Sequence, residues 1–191
     1  LSNSLCWSDD GRLLASTHSG QVRLWKLQDD AIVPVPLSIP EKLYPEDLSI
    51  NDVDFSDNSK LLVAGGAYDQ EAYGLVWKIE NDSASAVAVI EPEDRHEGAQ
   101  GITAIVINDA ANEIVSGGAD SRLQRWQLGG TNNDELTSLP WISEREGRGL
   151  NSDDKFTNPH SSAVTSLDTA GDGRFVSTDS DGWIVIWPSQ R

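Results

Sequence analysis

His160, Ser177 and Asp181 bring together the three residue types of a nucleophilic hydrolase. A serine hydroxyl becomes a nucleophile when a histidine takes its proton, a carboxylate orients the ring and an oxyanion hole receives the developing charge. Here the setting argues for another use. Ser177 lies in the alternating apolar stretch Arg-Phe-Val-Ser, which reads as an inner strand, and Trp187 falls in phase with it. An indole N–H needs an acceptor; a hydroxyl accepts from it and donates to an imidazole, whose other nitrogen reaches a carboxylate. The same four types return as His96, Ser116, Asp120 and Trp126. A set repeated in phase is read as architecture, so no catalytic residue is assigned. Metal chemistry fares no better: His18, His96 and His160 belong to different units, Cys6 is the single cysteine, and no CxxC or paired-histidine spacing occurs. Asp179-Ser180-Asp181-Gly182 opens like a calcium loop, but Pro188 stands where a bidentate Glu should close it. No metal and no cofactor are expected.

The elements that position these residues repeat along the chain. Four units share one grammar of three apolar stretches separated by tight turns, the third ending at Trp25, Trp77, Trp126 or Trp187. From the first apolar position to the Trp the separations are 23, 27, 24 and 23 residues, and the spacers to the next unit are 25, 25 and 38. The repeats run over about 1–27, 48–79, 96–128 and 160–188. Alternation and β-branched residues make each stretch a strand, and Asp10-Gly11, Asp172-Gly173 and Asp181-Gly182 supply residues tolerant of φ > 0 at the turns. Spacers add outer strands at about 31–37, 86–90 and 136–142. Pro34 and Pro36 require the first of these to be an unpaired edge. Four-stranded antiparallel units repeated about an axis are β-propeller blades.

These residues resemble the WD-repeat propeller family over nearly the whole chain. "HSSAVTSL", "FVSTDSDG" and "IVIW" carry His160, Ser177, Asp181 and Trp187 at the positions of the family's structural tetrad; the third unit repeats it. The resemblance implies a Trp–Ser–His–Asp hydrogen-bond chain in each complete unit. The first unit keeps Ser16 and Trp25 but has Ser19 for the Asp, and the second has Ala64 for the Ser and Glu71 in the Asp register. Those two blades should be held by packing more than by a polar network. The fold class is all-β, four blades of a WD-type propeller, the last lacking its outer strand. Rings of this family typically close with seven or eight blades, so the remaining blades of a longer chain, or a second copy, are expected to complete it. The first residue is Leu1 and the chain holds no Met, which reads as a segment of something longer.

With 31 acidic and 14 basic residues the net charge is -17, which argues against a phosphate backbone and favours a basic protein surface. No apolar run approaches the roughly 18–20 residues of a membrane span, and the lone Cys6 suits the cytoplasm. The resemblance implies a non-catalytic protein–protein scaffold, with channel chemistry as the alternative; Asp54 and Asp168 are the charges seen on inner strands. Length variation concentrates in loops of one rim. There the "AYDQEAYG" turn holds Tyr68, Asp69 and Tyr73, and the last spacer holds Arg145, Arg148 and Phe156. These six are the candidate partner contacts. The connecting stretches 38–49, 91–101 and 143–159 together hold 11 acids and 5 bases, which again fits a basic partner. Replacing Asp181 is expected to lower stability, and replacing Tyr68 or Tyr73 to weaken binding.

Overall fold

The computed structural model describes residues 4–18, 20–39, 48–69, 71–80, 83–90, 101–129, 135–138, 148–149 and 160–189. The first sheet runs β1 (Leu5–Trp7), β2 (Leu13–His18), β3 (Gln21–Gln28), β4 (Ala31–Val35), each antiparallel to the next. Pro34 lies opposite Trp25 on the outermost strand, where a missing N–H removes nothing from the ladder. A short strand β5 (Leu37–Ser38) then crosses to the second sheet and pairs parallel with its strand β9 (Ser83–Ile90). That sheet continues with β6 (Ser49–Phe55), β7 (Leu61–Tyr68), β8 (Glu71–Glu80) and β9 (Ser83–Ile90). The third contains β10 (Ile102–Asn108), β11 (Glu113–Gly118), β12 (Leu123–Gly129) and β13 (Glu135–Ser138).

The fourth sheet departs from expectation. Its inner strands are β15 (Val164–Thr169), β16 (Phe175–Asp179) and β17 (Ile184–Trp187), and its outer position is not empty. The two-residue β14 (Arg148–Gly149) fills it, with Arg148 opposite Ile186 and Gly149 opposite Val185. This short pairing covers part of an edge that water or another chain would otherwise meet.

The second and third sheets pack between two neighbours, and the first and fourth pack against one each. One core holds Leu13, Ala15 and Leu24 against Val53, Phe55, Leu62 and Trp77. A second sets Val63 and Val76 against Ile105, Ile107, Ile114 and Trp126, and a third sets Val106, Val115 and Leu123 against Leu167, Phe175, Val185 and Trp187. Every blade from the second onward therefore turns its Trp face to the preceding blade. Close approach requires glycine at one repeated position: a Cβ on Gly65 would stand 2.4 Å from Ile102 Cγ2, and one on Gly117 2.3 Å from Val164 Cγ1.

Side chains also stitch the inner strands together. A bulge recurs near the start of the inner strand, between Ile50 and Asp52 in β6, Ile102 and Ala104 in β10, and Val164 and Ser166 in β15, and it re-aims the intervening side chain. Asn51 Nδ2 donates to Ile102 O at 2.8 Å, and the Thr103 hydroxyl donates to Val164 O at 2.5 Å. Asp52 and Asp54, two residues apart on β6, accept the main-chain N–H of Ile105 (2.9 Å) and Ile107 (2.8 Å), both on the edge strand β10. Asp52 also accepts the Ser4 hydroxyl at 2.7 Å, which ties in the first blade. A hydrogen bond to a charged group contributes roughly 1.5–3 kcal/mol.

Burial pushes the Asp54 carboxyl up from 3.8 to about 6, against the lowering effect of the Ile107 amide. The folded state thus holds this proton where the unfolded chain has lost it, so stability from this group is present at low pH and lost as pH rises from about 4 to 6. Asp54→Asn keeps an acceptor for Ile107 without the charge. The variant is expected to lack this part of the wild-type pH dependence, measured by urea unfolding at pH 4.5 and 7.5. Parallel curves for the two proteins would contradict it.

Candidate functional site

Alternation along β16 turns Phe175, Ser177 and Asp179 to one buried face, the face that Trp187 shares from β17. Trp187 Nε1 donates to Ser177 Oγ at 2.8 Å. His160 Nε2 stands 2.6 Å from the same hydroxyl, and its Nδ1 stands 3.0 Å from Asp179 Oδ2. Burial holds the His160 pKa below its ordinary 6.5, more than Asp179 raises it, so the ring is neutral at pH 7. Every proton then has one direction: indole to hydroxyl, hydroxyl to Nε2, Nδ1–H to carboxylate. Protonating His160 would leave the Ser177 hydroxyl without its acceptor. Because its folded pKa is depressed, the stability it confers falls as pH drops below about 6.5.

The carboxylate of this chain is Asp179, which corrects the reading of Asp181. Asp181 lies beyond the strand, in the exposed turn, where its Oδ2 accepts from the Ser161 hydroxyl at 3.0 Å. Asp179 also organises that turn, its Oδ1 accepting the main-chain N–H of Asp181 (3.0 Å) and Trp183 (2.9 Å). The signal was in the period of two: Asp179 shares the side of Ser177, whereas Asp181 stands past the end of the ladder.

The other blades vary this theme in one register. Each Trp lies opposite the residue two before the Ser position: Leu14, Leu62, Ile114 and Phe175. In the first blade Trp25 Nε1 donates to Ser16 Oγ at 3.4 Å. In the second, Ala64 leaves buried Trp77 Nε1 with no partner among the described residues. In the third, Ser116 and Trp126 are buried and Asp120 Oδ1 accepts the N–H of Arg122 at 3.1 Å; His96 lies outside the described residues.

Of the candidate contacts, Arg145 and Phe156 lie outside the described residues, and Arg148 is in β14. The insertion "AYDQEAYG" does not loop out. The β7–β8 ladder continues to the pair Tyr68–Glu71, with Asp69 at φ 47° in the turn. This hairpin separates the two tyrosines, since Tyr68 is 41% exposed and Tyr73 only 8%. Tyr73 belongs to the first core and meets Tyr68 edge-on, ring centroids 6.4 Å apart. Its reading as a contact residue is thereby corrected to a supporting one.

A cavity of about 220 Å³ opens at the inner strands beside Trp7, Asp9, Asp54, Asp57 and Asp168. Asp54 is committed to the seam: Oδ2 takes the Ile107 amide, and Oδ1 lies 3.5 Å from Cys6 Sγ. Burial and Asp54 push the Cys6 thiol up to about 12, so it is unreactive at neutral pH. Among the described residues no group of three His, Cys, Asp or Glu is placed to hold a metal ion, and no helix is long and apolar enough to cross a membrane.

The family model described as "WD domain, G-beta repeat" matches residues 3–26, 42–72 and 154–188. No curated protein matches the chain. The three segments fall on the first, second and fourth sheets, and the third sheet repeats their strand order and Trp register.

Two substitutions separate the carboxylates. Asp179→Ala leaves three donors unpaired and is expected to cost about 3 kcal/mol in urea unfolding, while Asp181→Ala stays within about 0.5. Equal losses would contradict the assignment. Ala64→Ser gives Trp77 Nε1 an acceptor and is expected to stabilise by about 1 kcal/mol; a lower midpoint would refute the shared geometry.

Proposed function

We propose that this chain, matched in three segments by the WD-repeat family, whose repeats generally mediate protein–protein interaction, is a non-catalytic scaffold presenting the tip of the β7–β8 hairpin to a basic protein surface. The observation that carries this reading is the hairpin itself. The insertion extends both strands in register, places Tyr68 at the tip with Tyr73 packed beneath it, and flanks it with exposed Asp69 and Glu71. A rigid aromatic with little entropy left to lose is a favourable anchor, and adjacent carboxylates select a cationic neighbour. The net charge of -17 supports the same choice of partner over nucleic acid. The spacer with Arg145, Arg148 and Phe156 is the second candidate contact, and the cytoplasm, where a lone cysteine stays reduced, is the compartment of this reading.

Fluorescence polarisation with Lys/Arg-rich, neutral and Glu-rich peptides tests it. The basic peptides are expected to bind, to weaken about tenfold in Tyr68→Ala, and to weaken again with added salt or in Asp69→Ala. Binding indifferent to peptide charge, or unchanged by Tyr68→Ala, would overturn the assignment. Tyr73→Ala is expected to lower stability by about 3 kcal/mol, as other buried aromatic truncations do.

A further inference from the structure

The junction between the third and fourth blades is built differently from the two before it. At the first junction the receiving face carries Leu13, Ala15 and Leu24, and at the second Leu61, Val63 and Val76 take the same positions, all of them buried. In the third blade the register puts Glu113, Val115 and Arg125 there. Val115 joins the core shared with the fourth blade, whereas a carboxylate and a guanidinium replace the two aliphatic side chains beside it.

Both charges are almost wholly withdrawn from water, Glu113 at 5% and Arg125 at 7% exposure. Arg125 Nη1 stands 3.5 Å from Glu113 Oε2, a long contact for a pair whose desolvation it must offset. Asn108 Nδ2 donates to Glu113 Oε1 at 3.2 Å and reaches Gly173 O of the fourth blade at 3.0 Å. Asn108 Oδ1 and Arg125 Nε, both buried, have no hydrogen-bond partner among the described residues. A buried polar group without a partner has lost its hydration with no replacement, so opening this junction restores hydrogen bonds that closing it removes.

The seam thins at the same place. Asp52 and Asp54 tie three blades together, meeting Ser4 Oγ and Cys6 Sγ of the first and accepting the Ile105 and Ile107 amides of the third. By register their counterparts in the third blade are Ala104 and Val106, whose side chains hold no acceptor for the Leu167 and Thr169 amides of the fourth. Thr169 N–H turns instead to Asp168 Oδ1 on its own strand, at 2.9 Å. What Asn51 does for Ile102 O at the second junction, Thr103 still does for Val164 O here.

We infer that this junction is a hinge: blades one to three move as one body, and the fourth opens from them about the Thr103–Val164 seam, admitting water to Glu113, Arg125 and Asn108. Arg148 pairs with β17 and travels with the fourth blade, while Tyr68 belongs to the second. Opening therefore changes the spacing between the two candidate contacts, although the inference stands on the junction and on neither contact.

Ala15, Val63 and Val115 are equivalent and wholly buried, one at each junction, so a thiol at each reports how often that junction opens. In the full chain carrying Cys6→Ser, maleimide labelling of Val115→Cys under native conditions is expected to run about tenfold or more faster than that of Val63→Cys or Ala15→Cys. Adding Glu113→Leu with Arg125→Leu, which installs the side chains of the first blade, is expected to slow Val115→Cys to the rate of Val63→Cys, whereas Arg125→Leu alone, leaving Glu113 unpaired, speeds it. Indole N–H exchange in the unaltered chain gives the same comparison without substitutions: Trp187 at the third junction is expected to exchange faster than Trp77 at the first, despite its bond to Ser177. Equal labelling at positions 115 and 63, or slower exchange at Trp187 than at Trp77, would overturn the inference. So would Ala15→Cys labelling as fast as Val115→Cys, which is what fraying of an end blade produces, or a double Leu variant no slower than its parent.

Discussion

The innermost strand of every blade has an edge with no neighbouring strand, and its N–H and C=O groups need partners. Closing that edge is the constraint that the rest of the structure depends on. The next blade's amides Ile105 and Ile107 receive the carboxylates of Asp52 and Asp54, and its first carbonyl receives Asn51. Thr103 repeats the last of these toward Val164. The recurrent bulge supplies the side chain that reaches across, so one irregularity of the ladder produces the seam between sheets. Glycine at 65 and 117 then lets the following blade come close enough for these bonds to form.

Apolar faces do the rest. From the second blade onward each Trp packs against the preceding blade, and the polar chain Trp187–Ser177–His160–Asp179 fixes how the strands of the fourth blade meet the turns that flank them. The second blade interrupts this network at Ala64, and its buried Trp77 indole has no hydrogen-bond partner among the described residues. It is also the blade with the longest hairpin, and the extra ladder that carries Tyr68 outward buries Ala67, Ala72 and Tyr73 as it goes.

Much of this was legible in the residues. The repeat of Trp at near-constant spacing, the edge position of Pro34, and the contrast between Ser177 and Ala64 all follow from strand periodicity and donor–acceptor chemistry. Three features were not. Asp181 occupies the tetrad position by family resemblance, whereas the alternation of β16 puts Asp179 on the side of Ser177. The pairing of Arg148–Gly149 with β17, like that of Leu37–Ser38 with β9, is a tertiary contact of short segments without strand pattern. Asp54 reads from the sequence as a channel charge, since nothing in a single strand shows that the neighbouring blade's Ile107 amide is its partner.

The most direct test of the central claim is amide hydrogen exchange at Ile105 and Ile107. Both sit on an open strand edge, and the account predicts protection close to that of a ladder amide such as Ile114, lost when Asp52 and Asp54 are replaced by Ala. Exchange as fast as that of a solvent-exposed edge in the wild-type chain would contradict it.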